Sequence, residues 1–206
     1  MTPDYLLREL EAANDAAEGC SLCWLERRQV TRYLTGVAND GVNNIPLRQK
    51  LAERGGYCAP HCRDFAEIAN PLSGAILLEA FLSLRLKRSR QGKRPVKLRC
   101  EACEAAEKTR ETFHKNIKQH RKSEEVQQVL IEADLCLTHL ELACQVLPEA
   151  AREQLVTKHD GLKENLAELI RKHDYRFSDE TITEEEKKSI AGALELFGVE
   201  TKAKSN

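Results

Sequence analysis

The chain is poor in the residues that sheet proteins use for turns and for flat packed faces. Its 206 residues include only 10 glycines, 6 prolines and 5% aromatic residues, whereas 32% are charged. A sheet protein would show more turn residues and more β-branched and aromatic runs, so this composition predicts an all-α protein. The length and a net charge of -1 suit one large globular domain or two small ones.

Long apolar runs and a signal-peptide pattern are also missing. No run approaches the roughly 20 apolar residues that cross a bilayer. Asp4, Arg8 and Glu9 lie where a signal peptide would be basic and then apolar. We therefore expect a cytoplasmic protein with no membrane partner. In that reducing compartment, paired cysteines are more often metal ligands than disulfides.

Catalytic motifs are absent as well. The chain has no nucleophile and base at a characteristic spacing, no glycine-rich phosphate loop and no His-Glu-x-x-His motif of a zinc hydrolase. This absence predicts that the protein is not an enzyme and has no catalytic residues.

What the chain does have is a metal-ligand pattern that occurs twice. A Cys-x-x-Cys pair is followed by a Cys-x-x-His pair, and the same two pairs then recur. Three thiolates and one imidazole are a usual ligand set for a closed tetrahedral zinc site, so the sequence predicts two zinc ions (Zn2+) per chain. Four protein ligands leave no position for water, which predicts structural sites. The predicted ligands are Cys20, Cys23, Cys58, His61, Cys100, Cys103, Cys136 and His139.

The ligand pattern belongs to an internal repeat. A shift of 80 positions places Cys20 on Cys100, and apolar positions repeat together with the ligands. Such a repeat is typical of one supersecondary unit used twice. Pairing within each repeat needs the shorter loop closure, so each repeat is expected to close its own site. The alternative joins Cys20 and Cys23 to Cys136 and His139, which would entwine the repeats.

The predicted architecture is two tandem zinc-binding helical repeats followed by a long helix and a C-terminal helix. Its segments are residues 1–92 (first repeat), 93–148 (second repeat), 149–200 (C-terminal helices packed on the repeats) and 201–206 (a disordered tail). Pro148 begins the long helix, whose apolar stripe could face the core or a second subunit of a homo-oligomer. Thr183 and Glu186 form a capping box for the last helix. The stripe residues are Leu155, His159, Leu162, Leu166, Leu169 and His173.

The helix that begins at Pro71 is apolar nearly all round and is expected at the centre of the core. It leads into a segment, residues 85–99, that has no acidic residue. The basic side chains of this segment could bind nucleic-acid phosphates. Interleaved aromatic side chains that would stack on nucleobases are missing. The simpler interpretation is that this segment is a solvated helix end followed by a linker between the repeats. The basic residues are Arg85, Lys87, Arg88, Arg90, Lys93, Arg94, Lys97 and Arg99.

These patterns favour a metal-binding helical adaptor whose protein partner is unknown. One alternative is a redox sensor that releases zinc on oxidation, since Cys62 follows Cys58 by four residues. Others are a nucleic-acid-binding protein that uses residues 85–99 and an iron–sulfur protein, because three cysteines and a histidine can hold a cluster. The simpler interpretation of Cys62 and Cys144 is that both are small buried side chains.

Three features of the chain together resemble a bacterial protein family of unassigned function. They are the paired Cys-x-x-Cys and Cys-x-x-His half-sites, Gly56 before Cys58, and the segment Lys172-His-Asp-Tyr-Arg-Phe177. The resemblance covers most of the chain. It implies a metal-binding helical protein and no particular activity, because none is assigned to that family.

Overall fold

A computed structural model of the chain describes residues 2–177 and 179–198. Within them the chain forms eleven α-helices and no β-strand, which confirms the all-α prediction. No helix in these ranges is long and apolar enough to cross a membrane. The tail predicted at 201–206 lies outside the described residues.

The helices are α1 (Pro3–Ala16), α2 (Ser21–Asn39), α3 (Ile45–Glu53), α4 (Ala59–Ile68), α5 (Pro71–Arg90), α6 (Glu101–His120), α7 (Glu124–Glu132), α8 (Leu137–Cys144), α9 (Glu149–Thr157), α10 (Asp160–Lys172) and α11 (Glu184–Leu196). Two short 3-10 helices lie at Gly41–Asn43 and Tyr175–Phe177.

Contacts divide the chain into two compact units. The central unit is Glu26–Glu111, and the terminal unit combines the described residues up to Leu25 with those from Thr112 onward. The divisions fall inside α2 and α6, so both of these helices contribute to both units. Each unit therefore takes residues from both predicted repeats.

The terminal unit has a core of aliphatic side chains around α1 and α7. Thr2 caps the first turn of α1, which has proline at its start, and Leu6 and Leu10 lie fully buried on its inner face. Val126 and Leu130 of α7 are fully buried in the same cluster. Their spacing of four residues places each pair on one helical face, which is the face buried by packing.

The long helix predicted from Pro148 is observed as two helices, so that prediction is wrong. α9 ends at Thr157 and α10 begins at Asp160. Between them, the Lys158 ammonium donates to the Ala133 carbonyl oxygen at 2.8 Å and lies 3.2 Å from the Asp134 carboxylate. A polar tether to the end of α7 thus replaces the continuous helix.

The predicted stripe along this region is only partly buried. Leu155 and Leu169 are buried, and Leu162 and Leu166 are half-buried. His173 is exposed, and its Nδ1 lies 2.7 Å from the Leu169 carbonyl oxygen. The stripe therefore packs mostly within the chain, and it does not form one uninterrupted face.

The C-terminal helices α10 and α11 pack on each other around a buried ion pair. The capping box is confirmed, since the Thr183 amide donates to Glu186 at 2.9 Å and the Glu186 amide donates to the Thr183 hydroxyl at 3.2 Å. Lys172 donates to the same Glu186 carboxylate at 2.7 Å. The Arg171 guanidinium covers the Phe177 ring at 4.6 Å. The Lys172–Phe177 segment thus closes this helix pair, although its Tyr175 is 85% exposed.

The expectation that α5 lies at the centre of a core is wrong. Leu77 and Phe81 on one face are buried in the central unit. The opposite face carries leucines that remain in contact with solvent, because the central unit packs α3 against only one side of the helix. These exposed residues are Leu72 (69%), Leu78 (40%), Leu82 (58%) and Leu86 (53%).

Gly56 allows α5 to approach the loop before α4. Its φ of +80° is in the left-handed region that side chains rarely adopt. A Cβ at this position would lie 2.8 Å from the Phe81 ring. The next residue, Tyr57, packs edge-on against the same ring with centroids 5.8 Å apart. A glycine is therefore required where the aromatic core meets the ligand pair at Cys58.

We expect Gly56→Ala to lower the free energy of unfolding by about 2–5 kcal/mol, from backbone strain and from contact with Phe81. Gly36→Ala is the matched control, because Gly36 is exposed in α2 and an added Cβ would touch nothing. The control should raise stability by about 0.5–1 kcal/mol. Urea unfolding followed by circular dichroism measures both, and equal stabilities of the two variants would contradict this account.

Candidate metal centres

Every predicted ligand pair lies at the N-terminus of a helix. Cys58 and Cys136 are the N-cap residues of α4 and α8, and Cys20 and Cys100 directly precede α2 and α6. The second ligand follows three residues later in the first turn and so faces the same side of the helix. Free backbone N–H groups and the positive end of the helix dipole favour thiolates there.

One group of four ligands lies in the terminal unit and is called the terminal-unit site. It consists of Cys20, Cys23, Cys136 and His139. The His139 Nδ1 lies 3.3 Å from the Cys20 and Cys136 sulfurs and 3.4 Å from the Cys23 sulfur. The sulfurs of Cys23 and Cys136 are 3.7 Å apart. The backbone amide of Cys23 donates to the Cys20 sulfur at 3.5 Å.

The other group lies in the central unit and is called the central-unit site. It consists of Cys58, His61, Cys100 and Cys103. The His61 Nδ1 lies 3.1 Å from the Cys58 sulfur, 3.3 Å from the Cys100 sulfur and 3.4 Å from the Cys103 sulfur. The sulfurs of Cys58 and Cys103 are 3.7 Å apart. The two groups are therefore nearly the same in geometry.

Each group joins ligands from both predicted repeats, which answers the question of pairing in favour of the entwined alternative. Cys23 and Cys136 are 113 positions apart in the chain. Loop length is a weak constraint, since each doubling of a loop costs only about 0.6 kcal/mol. Packing of α1 on α7 brings the two halves of the terminal-unit site together and outweighs that cost.

Backbone hydrogen bonds also connect the two halves of each site. In the terminal unit, the Ser21 amide donates to the Asp134 carbonyl oxygen at 2.9 Å. In the central unit, the Arg99 amide donates to the Arg54 carbonyl oxygen at 2.8 Å. Each bond lies within a few residues of two ligand pairs, so it fixes the separation of the two helix N-termini.

The spacing of the donor atoms fits a single tetrahedral ion. An ion with zinc–sulfur bonds of about 2.3 Å holds its sulfurs about 3.8 Å apart and a ligating nitrogen about 3.5 Å from each sulfur. The observed sulfur–sulfur distance is 3.7 Å in both groups. All eight cysteines, which lie in the described part of the chain, are free of disulfide bonds. Both groups could therefore hold a metal ion.

Shared protons dominate the electrostatics of the terminal-unit site. Hydrogen bonds from the Cys20 and Cys23 thiols hold the pKa of Cys136 well below its usual range. The same bonding raises the pKa of Cys23, chiefly through its contact with Cys136. The opposite shifts describe one network of shared thiol protons, and a bound cation would displace those protons.

An ion-pair cluster beside the central-unit site was not predicted from the sequence. Glu101, directly after Cys100, accepts from the Tyr33 hydroxyl at 3.2 Å and lies 2.9 Å from the Lys50 ammonium. Arg54 pairs with both Glu101 and Glu104. The only signal in the sequence was an acidic residue after each cysteine of this pair, and the partners come from α2, from α3 and from Arg54 at the end of α3.

The two remaining cysteines are outside both groups. Cys62 lies one turn after Cys58 in α4, and its thiol donates to the Tyr57 carbonyl oxygen at 3.5 Å. Cys144 ends α8 in the terminal unit. Both are half-buried, and burial raises the pKa of each. Their environments agree with packing residues that remain as thiols.

The sequence profile of a family of unknown function, DUF6062, matches residues 7–130. That range is more than half of the chain. This chain belongs to the DUF6062 family. No curated protein and no solved structure matches the chain. The matched range contains six of the eight ligand positions of this DUF6062 protein, and only Cys136 and His139 lie beyond it.

The two sites of this DUF6062 chain differ in exposure. In the terminal-unit site, Cys136 and His139 are buried and the other two ligands are half-buried. In the central-unit site only Cys100 is buried, and Cys103 is exposed. The same donor set is therefore enclosed in one unit and open to solvent in the other.

The entwined pairing makes a specific prediction for the metal-loaded protein. In the Cys136→Ser variant we expect Cys20 and Cys23 to react with iodoacetamide, because the ion that they share is released. Cys100 and Cys103 should stay protected, since their site keeps all four ligands. Mass spectrometry of the alkylated peptides measures the protection of each cysteine.

Cys103→Ser is the matched control for this experiment. It should expose Cys58 and Cys100 and leave Cys20 and Cys23 protected. Alkylation of Cys100 and Cys103 in the Cys136→Ser variant would instead show pairing within each repeat, and it would contradict the geometry.

Proposed function

We propose that this protein is a non-catalytic helical adaptor in which two structural zinc ions hold pairs of helix N-termini together. The observation that supports it is the closed set of three sulfurs and one nitrogen in each unit, at the spacing of one tetrahedral ion. Such a set leaves no coordination position for substrate or water. A reducing compartment such as the cytoplasm would keep the cysteines available for metal.

The donor spacing favours a single ion over an iron–sulfur cluster. A cluster places bridging sulfides and more than one iron between its ligands, so ligands on different irons lie far apart. Here the four ligand atoms of each group lie within 4.8 Å of one another. Thiolate and imidazole donors in a tetrahedral arrangement suit zinc.

Each bound zinc ion would supply a fixed positive charge that the ligands at two helix N-termini share, so two ions would serve all four N-termini. The protein supplies the orientation: N-cap cysteines place one sulfur at each helix end, and the first turn adds the second donor. Ion binding would then contribute about 10 kcal/mol or more of apparent free energy to folding. That exceeds the net stability of many domains.

Metal content tests this part of the proposal. We expect elemental analysis of protein purified without oxygen to give two zinc ions per chain and no visible absorption. We expect a strong chelator to remove both ions and to lower the thermal stability measured by circular dichroism. Iron with visible absorption would support the iron–sulfur alternative, and folded protein without any metal would overturn the proposal.

The outer face of α5 is proposed as the surface that binds a partner. Its exposed leucines adjoin a groove of about 850 Å³ between α3 and α5, which Ile45, Ile76 and Leu84 line. Small residues at Ala52 and Ala80 keep the groove open. An apolar groove beside an exposed apolar helix face is the shape that accepts one more amphipathic helix.

Charge indicates which kind of helix would bind there. The groove itself is lined by charges of both signs, from Arg48, Glu53, Glu79 and Lys87. The face then continues into the basic segment 85–99, and no acidic residue occurs between Glu79 and Glu101. The basic side chains of residues 90–99 are exposed. We therefore propose that the partner contributes an acidic amphipathic helix, with apolar residues on the groove and carboxylates on the basic segment.

Exposed leucines favour a protein partner over nucleic acid at this surface. Nucleic-acid sites combine basic residues with aromatic side chains that stack on bases. The described face carries leucines among its lysines and arginines instead. Burial of leucines against another apolar surface stabilises a complex, whereas contact of leucines with phosphates contributes little to binding.

A fluorescent synthetic peptide tests the surface. The peptide is helical, with leucines on one face and glutamates on the other, and its control carries lysines in place of the glutamates. We expect fluorescence anisotropy to show binding of the acidic peptide only. Leu82→Glu should weaken that binding by about tenfold or more, as loss of a central apolar anchor does.

Ile170→Glu is the control variant, because Ile170 in α10 of the terminal unit is also an exposed apolar residue, 74% exposed against 58% for Leu82. It should bind the acidic peptide like the wild-type protein. Binding of duplex RNA or DNA, without binding of the peptide, would support the nucleic-acid alternative for this surface. A dimer in analytical ultracentrifugation that Leu82→Glu dissociates would assign the surface to a second copy of the chain.

A further inference from the structure

We propose that the central-unit site is a peroxide-sensitive switch, in which Cys103 and Cys58 form a disulfide and release the ion. The terminal-unit site, with the same ligand types, would keep its ion under the same conditions. This inference rests on the proposed zinc occupancy. It assigns a regulatory chemistry to one of two sites that otherwise look equivalent.

The difference between the sites is access to the sulfur. Cys103 is exposed, whereas Cys23 at the corresponding position of the terminal-unit site is half-buried. Cys58 is half-buried, whereas its counterpart Cys136 is buried. Oxidation of a thiolate depends on its exposure as well as on its charge. The central-unit site should therefore react first.

Two substitutions between the repeats accompany this difference, and the first lies directly after the second cysteine of each Cys-x-x-Cys pair. Trp24 follows Cys23 and packs against the core of the terminal unit, whereas Glu104 follows Cys103 and has a side chain that is 54% exposed. A partly buried indole therefore follows one ligand in the chain, whereas a half-exposed carboxylate that pairs with Arg54 follows the other. The greater exposure of the central-unit site thus goes together with a difference in sequence between the repeats.

A similar substitution occurs at the Cys-x-x-His pairs. Leu140 follows His139 and is buried in the terminal-unit core. The corresponding residue after His61 is Cys62, which is only half-buried. The central-unit site is thus less enclosed on the side of α4 as well.

The geometry places Cys58 within reach of Cys103. Their sulfurs are already 3.7 Å apart and come from different helix N-termini. A disulfide bond of about 2.05 Å needs a further approach of less than 2 Å. That approach is within the range of side-chain rotation at an exposed cysteine.

The proposed reaction uses a hydroperoxide as the oxidant. The Cys103 thiolate attacks one peroxide oxygen, which forms an S–O bond, breaks the O–O bond and releases hydroxide. The Cys58 thiolate then attacks the Cys103 sulfur, which forms the S–S bond, breaks the S–O bond and releases a second hydroxide. Two electrons pass from the two sulfurs to the peroxide, and the buffer supplies the two protons that convert both hydroxides to water. The ion loses two of its four ligands and dissociates.

Peroxide titration of the wild-type protein tests the switch. The protein carrying two zinc ions is treated with hydrogen peroxide, and released zinc is followed with a chromogenic chelator. We expect two phases, with the first equivalent of zinc released about tenfold faster than the second. Mass spectrometry after the first phase should find the Cys58–Cys103 disulfide and intact Cys23 and Cys136.

A Cys62→Ser variant serves as the control for the disulfide assignment. Cys62 is not a ligand, so the variant should bind two zinc ions and release the first at the wild-type rate. A much slower release, or a disulfide at Cys62 in the wild-type protein, would overturn the assigned pair. Release of both ions at one rate, with disulfides in both sites, would overturn the switch and leave the zinc proposal intact.

Absence of zinc before any oxidant is added would instead mean that the proposed function itself fails. The zinc count at the start of the titration therefore separates the two failures. Loss of zinc with no disulfide at all would also overturn the switch, because the reaction requires both sulfurs.

Discussion

The N-terminus of a helix is the element on which both candidate centres depend. Each provides a cysteine at or next to the N-cap and a second donor one turn later, at the positive end of a helix dipole, which favours thiolates. At Cys20 a backbone N–H also donates to the sulfur. Two such termini meet in each unit, at distances that suit a single ion. The loops, the aromatic cluster and the ion pairs that surround these termini hold them at that separation.

The ligand positions could be predicted from the sequence because their spacing is local. Cys20 with Cys23 or Cys58 with His61 lies within one helical turn, so a short pattern fixes their relation. The pairing of the half-sites could not be predicted in the same way. It depends on packing of α1 on α7, and the entropy of loop closure is too weak a function of length to decide it.

The errors in the predicted fold have the same origin. Periodicity described one stripe from Leu155 to His173, but the helix is interrupted after Thr157, where Lys158 binds the end of α7. Hydrophobicity all around α5 suggested a central helix, but the central unit covers only the face of Leu77 and Phe81. In both cases local sequence fixed the helical state, and distant residues decided where the helix ended or which face was buried.

X-ray absorption at the zinc edge tests the central claim most directly, because it reports the atoms bound to the metal in solution. The account predicts a first shell of three sulfurs at about 2.3 Å and one nitrogen at about 2.0 Å, averaged over two equal sites. It also predicts no second metal atom close to either ion. A shell of oxygens and nitrogens, or iron neighbours at short distance, would contradict the claim that helix N-termini converge on single zinc ions.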